Sequence, residues 1–106
     1  MNSIDKANAF KALHKSGVPV VLYNIWDAGG AKALAKAGAT AVATGSWSVA
    51  AAHGFKDGEV IPLDFLVTVV ERIVQTVDLP VSVDFEGGYS VDNESLKEYV
   101  LSLIHI

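Results

Sequence analysis

Val81-Ser82-Val83-Asp84-Phe85-Glu86-Gly87-Gly88-Tyr89 reads as the end of a short strand that runs into two acids and a pair of glycines. The strand is expected over Leu79 to Phe85. Asp84 and Glu86 are two residues apart, so on extended backbone both carboxylates turn toward one face. Gly87-Gly88 lets the chain turn sharply and come close to a ligand. The same plan appears twice upstream. Val18 to Tyr23 is a β-branched run expected to be a buried strand, followed by Asn24, Trp26 and Asp27. Thr40 to Thr44 is a second such run, followed by Gly45, Ser46 and Ser48.

Helical spacing fills the intervals. Ser3 is the expected cap of a first helix carrying Ala7, Phe10, Leu13 and a partly buried His14, with Gly17 and Pro19 ending it. Asp27 caps a second helix with a stripe of Ala28, Ala31, Leu34 and Ala35, ended by Gly38. Gly45 to Ser48 turns into a short helical stretch around Val49 to Ala52, and His53 to Val60 is a loop. Pro62 suits a first helical turn, after which Phe65, Leu66, Val69, Val70 and Ile73 trace an amphipathic helix to about Val77. Asp92 or Asn93 caps a last helix through Leu103. Strands alternating with helices, each strand nearly continuous in apolar residues, predict a parallel sheet covered by helices: an α/β fold. Right-handed crossovers then bring every strand's C-terminal end to one face, where such folds bind ligands.

Composition limits the function classes. The 106 residues suffice for one small domain, and 51% hydrophobic against 19% charged residues suits a packed core. A formal charge of -4 with no basic cluster argues against a nucleic-acid partner. No apolar run approaches the roughly 20 residues of a membrane span, and the polar N-terminus does not read as a signal peptide. There is no cysteine, which excludes a disulfide framework or thiolate metal site and fits a cytoplasmic setting.

The strand-end residues are the candidates for chemistry. Asp84 and Glu86 offer oxygen ligands to a hard cation such as Mg²⁺; solvated acids leaving a strand are the plainer alternative. Thr44-Gly45-Ser46-Trp47-Ser48 offers hydroxyls and N–H groups to a carboxylate or phosphate, or simply caps a helix. Asp57 in Phe55-Lys56-Asp57-Gly58-Glu59 is a third acid, or an ordinary Asp-Gly turn. His53 reads as a surface loop residue. No P-loop or dinucleotide fingerprint is present.

Four segments in register resemble the isocitrate lyase/phosphoenolpyruvate mutase superfamily. They are Val21 to Ala28, Ala43 to Trp47, His53 to Glu59 and Val83 to Tyr89, within a similarity over about residues 7 to 103. The resemblance implies a (β/α)8 TIM barrel, of which this chain supplies the N-terminal three strand-helix units, truncated before a fourth strand. It implies Mg²⁺, with Mn²⁺ as a substitute, at the C-terminal ends of the strands. It implies a 2-oxo acid or related carboxylate as substrate, C–C or P–C bond chemistry through an enolate, and a homo-oligomer for the full-length protein. Carried over by position, Asp84 matches the principal metal carboxylate and Glu86 a second acid acting through water. Asp57 matches a catalytic acid of the same network. Gly45, Ser46 and Trp47 match the turn that binds substrate, and Gly88 and Tyr89 the glycine-aromatic pair after the acids.

Departures from the pattern sharpen the placement. Glu86 is one methylene longer than the family's usual Asp, and Trp47 stands where many relatives have a small residue. Both favour the phosphonomutase-like branch, and the lysine- and cysteine-bearing lid motif of the lyases is absent. Leu103-Ile104-His105-Ile106 stands where the family enters its fourth strand, so residues 104 to 106 are expected to fall outside the genuine continuation and the fragment to be inactive alone. Two other readings fit the short length: a small α/β phosphoacceptor or binding module with Asp84 as the accepting acid, and a non-catalytic fragment that associates with full-length relatives.

Overall fold

The computed structural model describes residues 1–106. Eight elements follow in order: α1 (Ser3–Leu13), β1 (Asn24–Ile25), α2 (Ala28–Lys36), β2 (Val42–Thr44), α3 (Ser46–Ala52), α4 (Leu63–Thr76), β3 (Val81–Ser82) and α5 (Asn93–Ile104). The three strands form one parallel sheet in the order β1-β2-β3. Asn24 pairs with Ala43 and Ile25 with Thr44, while Val42 pairs with Val81 and Ala43 with Ser82. No helix is long and apolar enough to cross a membrane.

The expected α/β alternation is present, with shorter strands. β1 is two residues long and lies C-terminal to the expected run, for Val18 to Tyr23 forms no ladder and Val18, Val21 and Tyr23 are exposed. Composition alone does not make a strand; a neighbour in register does, and β2 offers partners only to Asn24 and Ile25. β3 is likewise limited to the two residues that Val42 and Ala43 engage, and Val83 to Phe85 continue beyond the ladder. β2 alone has neighbours on both sides, and Ala41 to Thr44 are all buried as a central strand requires.

Helix ends also differ in detail. Asn2, not Ser3, caps α1, its Oδ1 accepting from the Asp5 N–H at 2.8 Å. His14 lies past the end of α1 and is exposed, because the first helix buries no residue at all. Asp27 caps α2 by accepting from the Gly30 N–H at 2.7 Å, as expected. α3 begins at Ser46, directly after Gly45, and Pro62 precedes α4 rather than occupying its first turn. Asp92 is the cap of α5, accepting from both the N–H and the hydroxyl of Ser95.

Two apolar clusters hold these elements. Ile25, Ala31, Val42, Ile73 and Val77 pack α2 and α4 on one side of the sheet. Val49, Ala50, Ile61, Leu66 and Val70 join α3 to the first half of α4. Leu66, Val70 and Ile73 follow the three-to-four residue spacing of a buried helical stripe, so α4 serves both clusters. The backbone between the clusters is fixed where β2 runs into α3, and this places Gly45 and Ser46 beside the residues that leave β3.

A candidate carboxylate-centred site at the strand ends

Asp84 joins the loops that follow β2 and β3. Its Oδ2 accepts from the Ser46 N–H at 3.3 Å and its Oδ1 from the Glu86 N–H at 3.1 Å. Its own N–H donates to the hydroxyl of buried Thr44 at 3.2 Å. The Glu86 N–H, above all, holds the Asp84 carboxyl below its ordinary pKa; partial burial opposes this, and Ser46 adds to it. Asp84 is therefore an anion at neutral pH, and its side chain is exposed.

Gly45 leaves little room for anything else. A Cβ at this position would lie 3.0 Å from the Ser48 hydroxyl oxygen and 3.2 Å from Asn24 Nδ2. Side chains from the first residue of β1 and from α3 thus meet over the Gly45 backbone, which is why a residue without a side chain stands there. The Ser48 hydroxyl donates to the Gly45 carbonyl at 3.1 Å. Ser46 is half-buried, whereas Trp47 is 68% exposed and stands over solvent at the rim.

Glu86, Gly88 and Tyr89 belong to the turn after β3, which is bonded to the turn after Asp57. Glu86 Oε1 accepts from the N–H groups of Gly58 and Glu59, both at 3.0 Å. Glu59 in turn accepts from the Tyr89 N–H. The Tyr89 ring packs on Phe85 at 5.4 Å and its hydroxyl donates to the Ile61 carbonyl at 2.9 Å. Burial first, and then the charges of Glu86 and Glu59, push the Tyr89 phenol above the ordinary tyrosine pKa. Gly88 is buried with φ +83°, and a Cβ there would collide with the Leu96 side chain.

Of the residues singled out from sequence, Gly45, Ser46, Asp84 and Glu86 come together through these bonds. Asp57 is exposed and makes no hydrogen bond to either acid; its turn reaches the site through Gly58 and Glu59. No three His, Cys, Asp or Glu side chains converge as a cage for a metal ion. Glu59 is the residue that sequence reasoning missed. It follows an Asp-Gly pair and looks like a solvated loop acid; its engagement depends on a left-handed backbone (φ 62°) that its residue type does not signal.

Parallel strands wrapped by helices, with an anionic strand-end turn, define a protein of the (β/α) barrel type built here from three strand-helix units. The family model for phosphoenolpyruvate phosphomutase matches residues 10–106. The chain belongs to that family, and with it to the isocitrate lyase/phosphoenolpyruvate mutase superfamily. A crystal structure assigned as a phosphonomutase from Burkholderia cenocepacia J2315 superposes with a TM-score of 0.91 at 51% identity, covering 94% of this chain and 41% of that one. A second structure from the same organism, assigned as a lyase/mutase, gives 0.86 at 33% identity, over 95% of this chain and 36% of that one. A phosphoenolpyruvate phosphomutase from Streptomyces platensis subsp. rosaceus shares the fold at 21% identity, with a TM-score of 0.83 over 92% of this chain and 33% of that one. An uncharacterized protein of Mycobacterium tuberculosis is 35% identical over 95 residues, 90% of this chain and 36% of its own length. The chain therefore spans well under half the length of the relatives it matches.

Proposed function

We propose that these residues form part of a Mg²⁺-dependent lyase or phosphonomutase-type site. Its substrate is a 2-oxo acid or related carboxylate, and it makes or breaks a C–C or P–C bond through an enolate. The observation that carries this reading is Asp84, an anion just past the C-terminal end of β3 held by the N–H groups of Ser46 at the start of α3 and of Glu86 in the following turn. Mg²⁺ is commonly bound through one or two carboxylates while keeping several waters, so a single well-held Asp fits the ion where a full protein cage does not exist. Mn²⁺ fits the same oxygen donor.

Asp84 takes the direct metal position in this reading. Glu86 has one oxygen, Oε2, outside its bonds to Gly58 and Glu59, which suits the more distant role through water. When bound, Mg²⁺ supplies Lewis-acid stabilisation of developing negative charge. The chain's own groups bind and orient. Gly45 and Ser46 present backbone and hydroxyl at the mouth for a substrate carboxylate, and Trp47 covers the rim. Gly88 and Tyr89 shape the opposite wall, Tyr89 by its backbone because its hydroxyl is engaged by Ile61. Asp57 is assigned a catalytic acid's place at the edge of this face. The matched relatives carry more than half their length outside the shared region, and we place the remaining groups of the site and its subunit contacts there.

Trp26 and Trp47, both exposed near this face, report on binding. Oxalate, a stable analogue of an enolate carboxylate, is expected to change tryptophan fluorescence only when Mg²⁺ is present, with the response lost in Asp84→Ala. A response to oxalate that ignores both Mg²⁺ and Asp84 contradicts the proposal. Labelling of Asp84 by a small phosphodonor would favour the phosphoacceptor alternative.

A further inference from the structure

Three non-glycine residues have positive φ: Glu59 (62°), Glu86 (54°) and Tyr89 (66°). All three lie in two facing loops, the turn after Asp57 and the turn after β3. Such conformations are disfavoured for residues with a Cβ and persist where surrounding contacts over-determine them. Here the contacts are reciprocal. The first loop gives the N–H groups of Gly58 and Glu59 to Glu86 Oε1, at 3.0 Å each. The second gives the Tyr89 N–H to Glu59 Oε2. A Cβ on Gly87 would lie 3.3 Å from Glu59 Oε1, so the second loop closes directly over that carboxylate. Each loop thus contributes one carboxylate to the other's backbone, and each carboxylate sits on a left-handed residue.

We propose that Glu59 is a positioning residue that locks the loop bearing Glu86, Gly88 and Tyr89 onto the turn after Asp57, so that the two acid-bearing loops move as one unit. The route to the chemistry is short. Glu59 fixes Tyr89 and, by its own N–H, Glu86; the Glu86 N–H then fixes Asp84 Oδ1 at 3.1 Å. The consequence for metal binding rests on the function proposed above, whereas the locking of the loops does not. A solvated loop acid would have neither an N–H partner across the gap nor a left-handed backbone.

Hydrogen exchange by mass spectrometry on the whole chain, paired with Mn²⁺ binding, tests this. Glu59→Ala is expected to speed exchange in a peptide covering residues 86 to 90 by about tenfold, the loss of one charge-assisted hydrogen bond. The amides of β2 and α4 are expected to stay unchanged, and Mn²⁺ affinity to fall about three- to tenfold on the same grounds. Glu59→Gln keeps a carbonyl acceptor and should stay within about threefold of wild type. If Glu59→Ala does not fold, Glu59→Asp, one methylene too short to span the gap, is read the same way. Unchanged exchange over residues 86 to 90 overturns the proposal, as does a rise spread equally through β2 and α4. Mn²⁺ binding that needs Asp84 but ignores Glu59 overturns the positioning of the acids by Glu59 and leaves the metal reading standing. Selective loosening of residues 86 to 90 in a chain that binds no Mn²⁺ supports the lock while removing the metal reading.

Discussion

The Asp84 carboxyl is held below its ordinary pKa mainly by the Glu86 N–H, so the folded chain binds a proton there less readily than the unfolded chain does. The resulting stability is fully present above the unfolded value of about 3.9 and is lost as pH falls through the lower folded value. Asp84→Asn should therefore destabilise the fold at pH 7 by about 1 kcal/mol at most, since the group is largely exposed. The two proteins should converge in acid unfolding curves once the pH is below that folded value. Tyr89 shows the opposite sign. Its phenol pKa is raised, so its contribution is present below the ordinary tyrosine value and lost as pH rises through the folded value. Tyr89→Phe should remove a late step from the alkaline ultraviolet titration and cost about 1 kcal/mol through the lost bond to the Ile61 carbonyl. At this scale the sequence was partly legible. Asp84, Gly45 and Ser46 are visible because each stands in or directly after an apolar, β-branched run. Glu59 is not, because its partner is a backbone N–H some 30 residues away.

Among the elements, α4 carries the core and α1 carries almost none of it. Ile73 is fully buried between α2, β2 and Val77. Ile73→Ala should lower stability by about 2–5 kcal/mol, measured by urea unfolding. α1 buries no residue, and its ties include the Lys6 ammonium donating to the carbonyls of Val77 at 3.0 Å and Val74 at 3.4 Å. Those carbonyls end α4, where a cation is favourable. Lys6→Ala should loosen α1 in hydrogen exchange while leaving the main unfolding transition nearly unchanged; a large loss of stability would contradict this division. The apolar spacing that marks α4 was readable because that helix faces the core along its length. The Val18 to Tyr23 run was misread because residue type reports what a strand would tolerate, not whether a neighbour is there to pair with it. The helical spacing of Ala7, Phe10 and Leu13 did mark α1, whereas the partly buried place expected for His14 did not hold, since His14 lies past the helix end and is exposed.

The whole molecule is a three-stranded parallel sheet open along both β1 and β3. Unpaired N–H and C=O groups at such edges invite further strands, and exposed Val18, Val21 and Tyr23 beside β1 add apolar surface. The 106-residue chain should self-associate as concentration rises in sedimentation velocity; a monodisperse monomer that melts cooperatively would count against this. More than half the length of the matched relatives lies outside the region shared with this chain. The parallel α/β plan was legible in the alternation of strand and helix patterns, and the shared face at the strands' C-terminal ends followed from it. The convergence of two loops on Asp84 was not, because it depends on where β2 and β3 end relative to one another. Whether that convergence holds a metal ion is tested most directly by the Mn²⁺ electron paramagnetic resonance signal during titration with the chain in the presence of oxalate. The chain should deplete the free Mn²⁺ signal, Asp84→Ala should lose most of this binding, and Asp78→Ala, at an acid that instead binds the N-terminal amine, should keep it. Equal Mn²⁺ binding by the wild type and Asp84→Ala would contradict it.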